Sequence, residues 1–374
     1  MQKLQKYKIE DLPIVMLGSC GHAGIDWTHS LLDNHKQVLI MPAFSFFRTI
    51  DRINRINKIN IEKERYIKIA EIFSNTFLLD KAYQLKRRKF LENEEQKLKF
   101  KNLLFNFLEK SKERNLKKKI FFGIHYAFAK IHNIEIEKKK IIVVHEHVSW
   151  HCEEYKKIFN SKFLIIFRDP RASLAGGILR MRNSNIDKIL NSFQFDMMLL
   201  DMFSAFNFIK KNKNDNKIYS LINEVMHCDL KKEMKLLSEW LNIDYSNTLI
   251  EQTFRGEKWM GESAYLAKDE LEKEPPKNFY NSSKVEKRWR SILSFNEILM
   301  IETIFRKLMI RYNFKPDNKL NFSKLLCGYL NYFIMHQHQK KFYLSKYLIL
   351  LRNFIRRFSI IFFGSKSKYF FNFR

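Results

Sequence analysis

The stretch PIVMLGSCGHAGIDWTHSLLDNH, residues 13–35, decides the fold. It opens on an unbroken apolar run, PIVMLG, the pattern of a short strand buried on both faces. Gly18, Gly21 and Gly24 then form a loop. From Trp27 to Leu32 the apolar spacing turns helical, and Asp33-Asn34-His35 closes it. Strand, glycine loop and helix make the first half of a βαβ unit. Such a turn aims backbone N–H groups at the helix N-terminus, where phosphate or sulfate oxygens are favoured. The loop lacks the Lys of GxxxxGK[ST] and the spacing of GxGxxG, and a plain tight turn fits the residues as well.

Working outward, Gln37–Met41 reads as a second short strand. Residues 50–115 read as charged amphipathic helices with solvated faces, with a basic cluster at Lys86–Lys89. Phe121–His132 reads as a buried helix. Lys140–Val144 is a β-branched strand running into His145-Glu146-His147. Residues 163–167, FLIIF, carry the strongest strand pattern of the chain. That strand stops at Arg168-Asp169-Pro170-Arg171, where Pro170 suits a first helical turn, and the helix runs through Arg182. Further expectations are an apolar helix over 193–211, a strand over 218–222 and a helix over Leu230–Leu241. A loop follows over 275–283, then a long amphipathic helix over Val285–Arg311. Apolar strand, loop and helix in repetition predict a mainly parallel α/β sheet whose functional groups lie at the carboxyl ends of the strands. An Arg at such an end, like Arg168, can make a bidentate contact to phosphate, or pair with Asp169.

The two strand–loop–helix segments together resemble sulfotransferases that use 3′-phosphoadenosine 5′-phosphosulfate (PAPS), in their bacterial form. The family's first motif is an apolar strand, G-x-P-[RK]-[SG]-G-T-T-[LW], then a helix ending L-L-D-x-H-P. The second is an apolar strand followed by R-D-P-R, small residues and an Arg, matched here by FLIIFRDPRASLAGGILRMR. Tyr219…Glu224, the segment Thr253…Gly256…Trp259…Gly261…Ser263 and Arg288-Trp289-Arg290 then follow in the family's order, so the resemblance spans residues 13–313. It implies a P-loop-like three-layer α/β domain over residues 1–314. A basic, helical C-terminal extension occupies 315–374.

The resemblance further implies direct transfer of a sulfuryl group from PAPS, as co-substrate and without a metal, to a hydroxyl or amine. The expected donor-binding residues are Gly21, His22, Ala23, Gly24, Ile25, Asp26 and Trp27 for the 5′-phosphosulfate. Arg168 with Ser173 and Gly176 would take the 3′-phosphate, with Arg288 and Arg290 adding charge. His147 is the expected base, followed by Glu146 and His145, with Asp26 as runner-up. His35, His125, His132 and His151 are read as core or surface histidines. The chain departs from the family at His22, where an Arg or Lys is usual, at Ile25-Asp26, where hydroxyls are usual, and at Gly176, where a Ser is common. These departures sustain a second reading, a non-catalytic binding or scaffold protein with a decayed loop. A magnesium-dependent phosphate-transferring P-loop enzyme is disfavoured by the missing Lys.

Composition adds bounds. With 374 residues, 45% hydrophobic and 35 Phe, the chain can bury a large core. A net charge of +28 points to a polyanionic partner, although richness in Lys, Asn, Ile and Phe also follows from genome-wide bias. Eleven of those charges lie in residues 319–374, which hold eleven Lys or Arg, fifteen aromatics and no Asp or Glu. Residues 342–363 are apolar but interrupted by Lys346, Arg352, Arg356 and Arg357. They read either as an interfacial helix with a basic face at an anionic membrane or as a further helical layer over the domain. No nucleic-acid motif is present. The four Cys (Cys20, Cys152, Cys228, Cys327) form no CxxC pair, which fits a reducing compartment, and no signal or spanning segment is evident. The expected location is cytoplasmic, with peripheral contact at the inner face of the membrane. The expected acceptor is a glycan or glycolipid, an inference from bacterial relatives and the tail.

Overall fold

The computed structural model describes residues 7–42, 44–50, 59–79, 89–183, 188–259, 288–333 and 347–363. In chain order the elements are β1 (Ile14–Ser19), α1 (Ile25–Leu32), β2 (Val38–Ile40), α2 (Phe46–Ile50), α3 (Glu62–Leu79), α4 (Glu94–Lys110), α5 (Leu116–Ile131), β3 (Ile141–His145), α6 (Cys152–Phe159), β4 (Lys162–Phe167), α7 (Pro170–Asn183) and α8 (Lys188–Lys211). There follow β5 (Ile218–Ile222), α9 (Asn223–Cys228), α10 (Leu230–Leu241), the short hairpin of β6 (Thr253–Phe254) and β7 (Glu257–Lys258), α11 (Phe295–Ile304), α12 (Arg306–Arg311), α13 (Phe322–Phe333) and α14 (Tyr347–Phe363).

The central sheet has five strands in the order β2-β3-β1-β4-β5, and every pairing is parallel. Successive strand residues face opposite ways, and both faces are packed. Ile14 and Met16 of β1, Ile142 and Val144 of β3, and Phe163, Ile165 and Phe167 of β4 join one core. Val15 and Leu17, Ile141 and Val143, and Leu164 and Ile166 join the other. The first core is completed by Phe residues of α3–α5, by Tyr155 of α6 and by apolar residues of α7, α8 and α11. The second is completed by Leu31 and Leu32 of α1 and by Leu237 and Leu241 of α10. The result is the helix–sheet–helix sandwich expected from the alternation of strands and helices.

The expected long helix over Val285–Arg311 is broken, and its first residues lie outside the described ones. A turn of 3₁₀ helix covers Arg288–Ser291, and α11 starts afresh. The cause is local: Ser294 accepts the Glu297 N–H while the Glu297 carboxylate returns to the Ser294 N–H, a capping box that fixes a new N-terminus. The loop expected over 275–283 lies outside the described residues.

In the C-terminal helices two of the basic residues expected to face a membrane are turned inward. Arg356 and Arg357 of α14 point inward and are buried. Both pair with Asp196 of α8, at 3.0 and 2.9 Å. Arg357 also donates to the Tyr332 carbonyl at 3.0 Å, and Tyr332 returns a bond from its hydroxyl to the Arg357 carbonyl. Leu351, Phe354, Ile355, Phe358, Phe362 and Phe363 face outward instead. Arg356 and Arg357 turn inward because one buried carboxylate on α8 attracts both guanidinium groups. Among the described residues no helix is long and apolar enough to cross a membrane.

Candidate active site

The glycine loop leaves the end of β1 at the centre of the sheet. The Cys20 N–H still bonds the Ile166 carbonyl of β4 at 2.8 Å, and the Ala23 N–H bonds the Gly21 carbonyl at 2.9 Å. Gly21 and Gly24 have φ of 69° and 96°, and Gly24 is the N-cap of α1. A Cβ on Gly24 would stand 2.5 Å from Asn223 Nδ2, so the position requires glycine on two counts. The N–H groups of the first turn of α1 have no carbonyl to bond within the helix. Ile25, Asp26 and Trp27 supply that turn.

The loop is braced from three sides. The Ser173 hydroxyl of α7 donates to the Cys20 carbonyl at 3.1 Å. The Ser149 hydroxyl donates to the Ser19 carbonyl at 2.6 Å. Asp201 of α8, buried, accepts the N–H groups of Gly21 and Ser149. Burial raises the pKa of Asp201 to about 7 against the lowering effect of those bonds. Ser173 therefore holds the loop's backbone, although it was expected at a 3′-phosphate. His22 lies over α7: its Cβ is 3.9 Å from where a Gly176 Cβ would stand, and its Cδ2 is 2.8 Å from where a Gly177 Cβ would stand. Two departures from the family pattern, His22 and Gly176, thus meet in space, and the missing side chain at Gly176–Gly177 makes room for the imidazole.

Arg168 follows directly on β4, and its influence reaches α9. His227 stacks on Trp27 with ring centroids 4.2 Å apart. Its pKa is lowered to about 4 by burial and then by the charges of Arg168 and Arg288. Arg168 also acts on Glu224, whose carboxyl accepts the Asp169 N–H at 3.0 Å but whose pKa burial nevertheless raises. Trp27 and His227 therefore stack beside the glycine loop, within the electrostatic reach of Arg168 and Arg288. Arg290 is turned elsewhere and pairs with Asp317 at 2.9 Å. Arg171, the second Arg of the R-D-P-R motif, is buried between Asp169, Glu302 and the Trp289 ring, which makes it a structural clamp.

The histidine triplet after β3 divides. Glu146 is fully buried and faces α6: it accepts hydrogen bonds from Ser45 and from Tyr155 at 3.2 Å, and His151 lies 3.3 Å away. Glu146 is thus directed away from the loop, and His151 is drawn into the same buried network. His145 and His147 face the other way. Their Nε2 atoms are 3.2 Å apart, and Asp26 Oδ1 lies 3.7 Å from His145 Nε2. His145 Nδ1 is 3.0 Å from Nδ1 of His29 on α1, and His29 stacks on Phe254 at 4.6 Å. His35, His125 and His132 each bond a backbone carbonyl and serve the core.

His29, Asp201 and His227 escaped the sequence reading. Asp201 stands in the apolar stretch MMLLDMF of α8, a pattern that marks a buried acid with a task. His29 sits one helical turn after Asp26, on the same side of α1. The motifs that seemed scattered converge here too. The Asp33 carboxylate that ends α1 accepts from the Thr253 hydroxyl at 3.1 Å and from the Gly256 N–H at 2.8 Å. Gly261 and Ser263 of that motif lie outside the described residues.

No family model matches the sequence, and no curated protein matches it. Similar solved structures include the sulfotransferase domain of the Synechococcus olefin synthase, at 12% identity over 90% of this chain and 98% of that one, with a TM-score of 0.43. The sulfotransferase domain of the curacin biosynthetic pathway has 12% identity over 83% and 99%, with a TM-score of 0.48. A Mycobacterium avium sulfotransferase has 11% identity over 83% and 80%, with a TM-score of 0.37.

Proposed function

We propose that the protein is a sulfotransferase that moves a sulfuryl group from PAPS to a hydroxyl, or an amine, of a glycan, glycolipid or other small acceptor. The observation that carries the reading is the glycine loop and first turn of α1, where His227 stacks on Trp27 within reach of Arg168 and Arg288; burial first, and then these two charges, lower the His227 pKa to about 4. A dianionic 3′-phosphate and a 5′-phosphosulfate suit those charges, and the backbone of Gly21–Trp27 suits the latter. In the transfer, the acceptor oxygen bonds to sulfur as the bond between sulfur and the bridging phosphate oxygen breaks. His147 takes the acceptor proton on Nε2, and 3′-phosphoadenosine 5′-phosphate leaves with the electron pair. His145 and His29 behind His147 would set its orientation.

The test is calorimetric titration with 3′-phosphoadenosine 5′-phosphate, on the wild type and on Arg168→Ala. Binding that Arg168→Ala weakens by roughly tenfold or more supports the reading. No binding at millimolar ligand would leave the non-catalytic scaffold, consistent with a loop in which His22 stands where an Arg or Lys is usual and whose Gly21 N–H is taken by Asp201.

We further propose that the outward face of α14 rests on an anionic membrane. Phe354, Phe358 and Phe362 form a stacked outer row. The sequence after 318 carries eleven basic residues and no acid, and among the described ones Arg356 and Arg357 pair with Asp196. Apolar insertion with flanking cations is the chemistry of a peripheral contact at the inner leaflet. Vesicle co-sedimentation tests it: binding to anionic but not neutral vesicles is expected, and a Phe358→Asp, Phe362→Asp double variant should abolish it. Equal binding of that variant would overturn the contact.

A further inference from the structure

We infer that Asp26, His145 and His147 form a site for a divalent transition-metal ion of the Zn²⁺ class. One ligand atom from each residue lies within 4.8 Å of the other two. The edges of the triangle include 3.2 Å between the two Nε2 atoms and 3.7 Å between His145 Nε2 and Asp26 Oδ1. Tetrahedral Zn²⁺ with bonds of about 2.0–2.1 Å requires ligand edges of about 3.3–3.4 Å. Two edges are thus within about half an ångström of that spacing, and the third, between His147 and Asp26, is under 4.8 Å.

The outer partners point the same way. His145 is wholly buried, and its Nδ1 lies 3.0 Å from His29 Nδ1. A hydrogen bond there, given by His145 Nδ1–H, leaves the lone pair of His145 on Nε2, directed at the triangle. A second-row contact that fixes the tautomer and ring plane of a ligating imidazole is the usual support of a metal-bound His. His29 is itself held by its stack on Phe254. Two imidazoles and one carboxylate are borderline ligands that suit Zn²⁺, Ni²⁺, Co²⁺ or Fe²⁺ better than Mg²⁺ or Ca²⁺. Three protein ligands leave a fourth position for water. Asp26 and His147 are partly exposed, which gives the ion an entry path from the glycine-loop side.

A consequence follows for the proposed transfer, and it rests on that reading. The Nε2 lone pair of His147 cannot hold an ion and accept a proton at once, so the metal-bound protein is a silenced transferase. Asp26, which would repel a phosphosulfate when ionised, gains a partner of opposite charge in that state.

The test measures metal binding without any activity. Chelator-stripped, full-length protein is titrated with Zn²⁺ against a chromophoric zinc indicator. The expected result is one equivalent of tightly bound Zn²⁺ and a rise in unfolding temperature. His147→Gln and Asp26→Asn, both at partly exposed positions, should each weaken the affinity by roughly tenfold or more. A Cys228→Ser, Cys327→Ser double variant should leave it unchanged. Absence of a tight equivalent in the wild type, or binding unweakened in His147→Gln, would overturn the site. The wild-type stoichiometry needs no variant and stands even if a variant fails to fold. Titration of the same stripped protein with 3′-phosphoadenosine 5′-phosphate separates the two proposals. Nucleotide binding without metal binding removes this inference alone, and metal binding without nucleotide binding removes the transfer reading alone.

Discussion

Asp201 Oδ2 accepts the Gly21 N–H at 3.1 Å, across 180 residues of sequence. Its other oxygen accepts the Ser149 N–H at 2.5 Å. One buried carboxylate thus ties the loop after β1 to the loop after β3, the two segments that carry the candidate donor site and the candidate base.

The first prediction concerns that carboxylate. Burial raises its folded-state pKa from 3.8 to about 7. Below pH 3.8 both folded and unfolded chains hold the proton, and the group's contribution is fully present. Between there and about pH 7 only the folded chain keeps it, so this contribution falls as pH rises through the window. Asp201→Asn should lose about 1–3 kcal/mol, because an amide oxygen cannot serve both N–H groups. Urea unfolding should show the gap between wild type and variant at its widest below about pH 4, shrinking through pH 5–7 and at its narrowest by pH 8.

The glycines of the site should separate sharply. Gly24→Ala combines a φ of 96° with a Cβ 2.5 Å from Asn223 Nδ2 and should cost about 1–3 kcal/mol. Gly177→Ala places a Cβ 2.1 Å from Met198 Sδ and should cost about 1–3 kcal/mol by overpacking. Gly176→Ala meets only His22 Cβ at 3.9 Å and should stabilise α7 by about 0.5–1 kcal/mol. Denaturant midpoints of the three variants check the order.

Asp196→Ala should be the most damaging single change in the C-terminal region. It strands the guanidinium groups of Arg356 and Arg357 in a buried site, at a cost of about 3–5 kcal/mol. Thermal unfolding measures the loss, and limited proteolysis should show residues 347–363 cleaved first.

His227 reports on the field of the site. Its pKa is lowered to about 4 by burial, Arg168 and Arg288, so its neutral form adds stability that is lost as pH falls from 6.5 through about 4. Arg168→Gln should raise the value, and burial should keep it below 6.5. A bound phosphate should raise it in the same direction. NMR titration of the imidazole resonances follows both.

Much of the frame was legible because it is encoded locally. Residues 218–222 and Leu230–Leu241 read as strand and helix from their own spacing, and those are the bounds of β5 and α10. The glycine loop was legible because a strand that ends in three closely spaced glycines before a helix has few other shapes. The site was legible in part. Arg168 and the two outer histidines of the triplet declared themselves at strand ends, and a period of two separates His145 and His147 from Glu146. The sequence reading nevertheless grouped Glu146 with them, since it could not weigh Ser45 and Tyr155, which lie far away or on another element.

The sequence alone therefore determined the parallel sheet, the glycine turn and the basic character of the tail. These depend on periodicity, backbone freedom and composition. Only the tertiary structure decided which charges face which partners. Arg357 and Asp196 are 161 residues apart, and His145 and His29 are 116 apart. A helical pattern gives the spacing of Arg356 and Arg357 but not the sign of the group packed beneath them. Burial makes an ion pair or an imidazole contact decisive, and burial is a property of the folded whole.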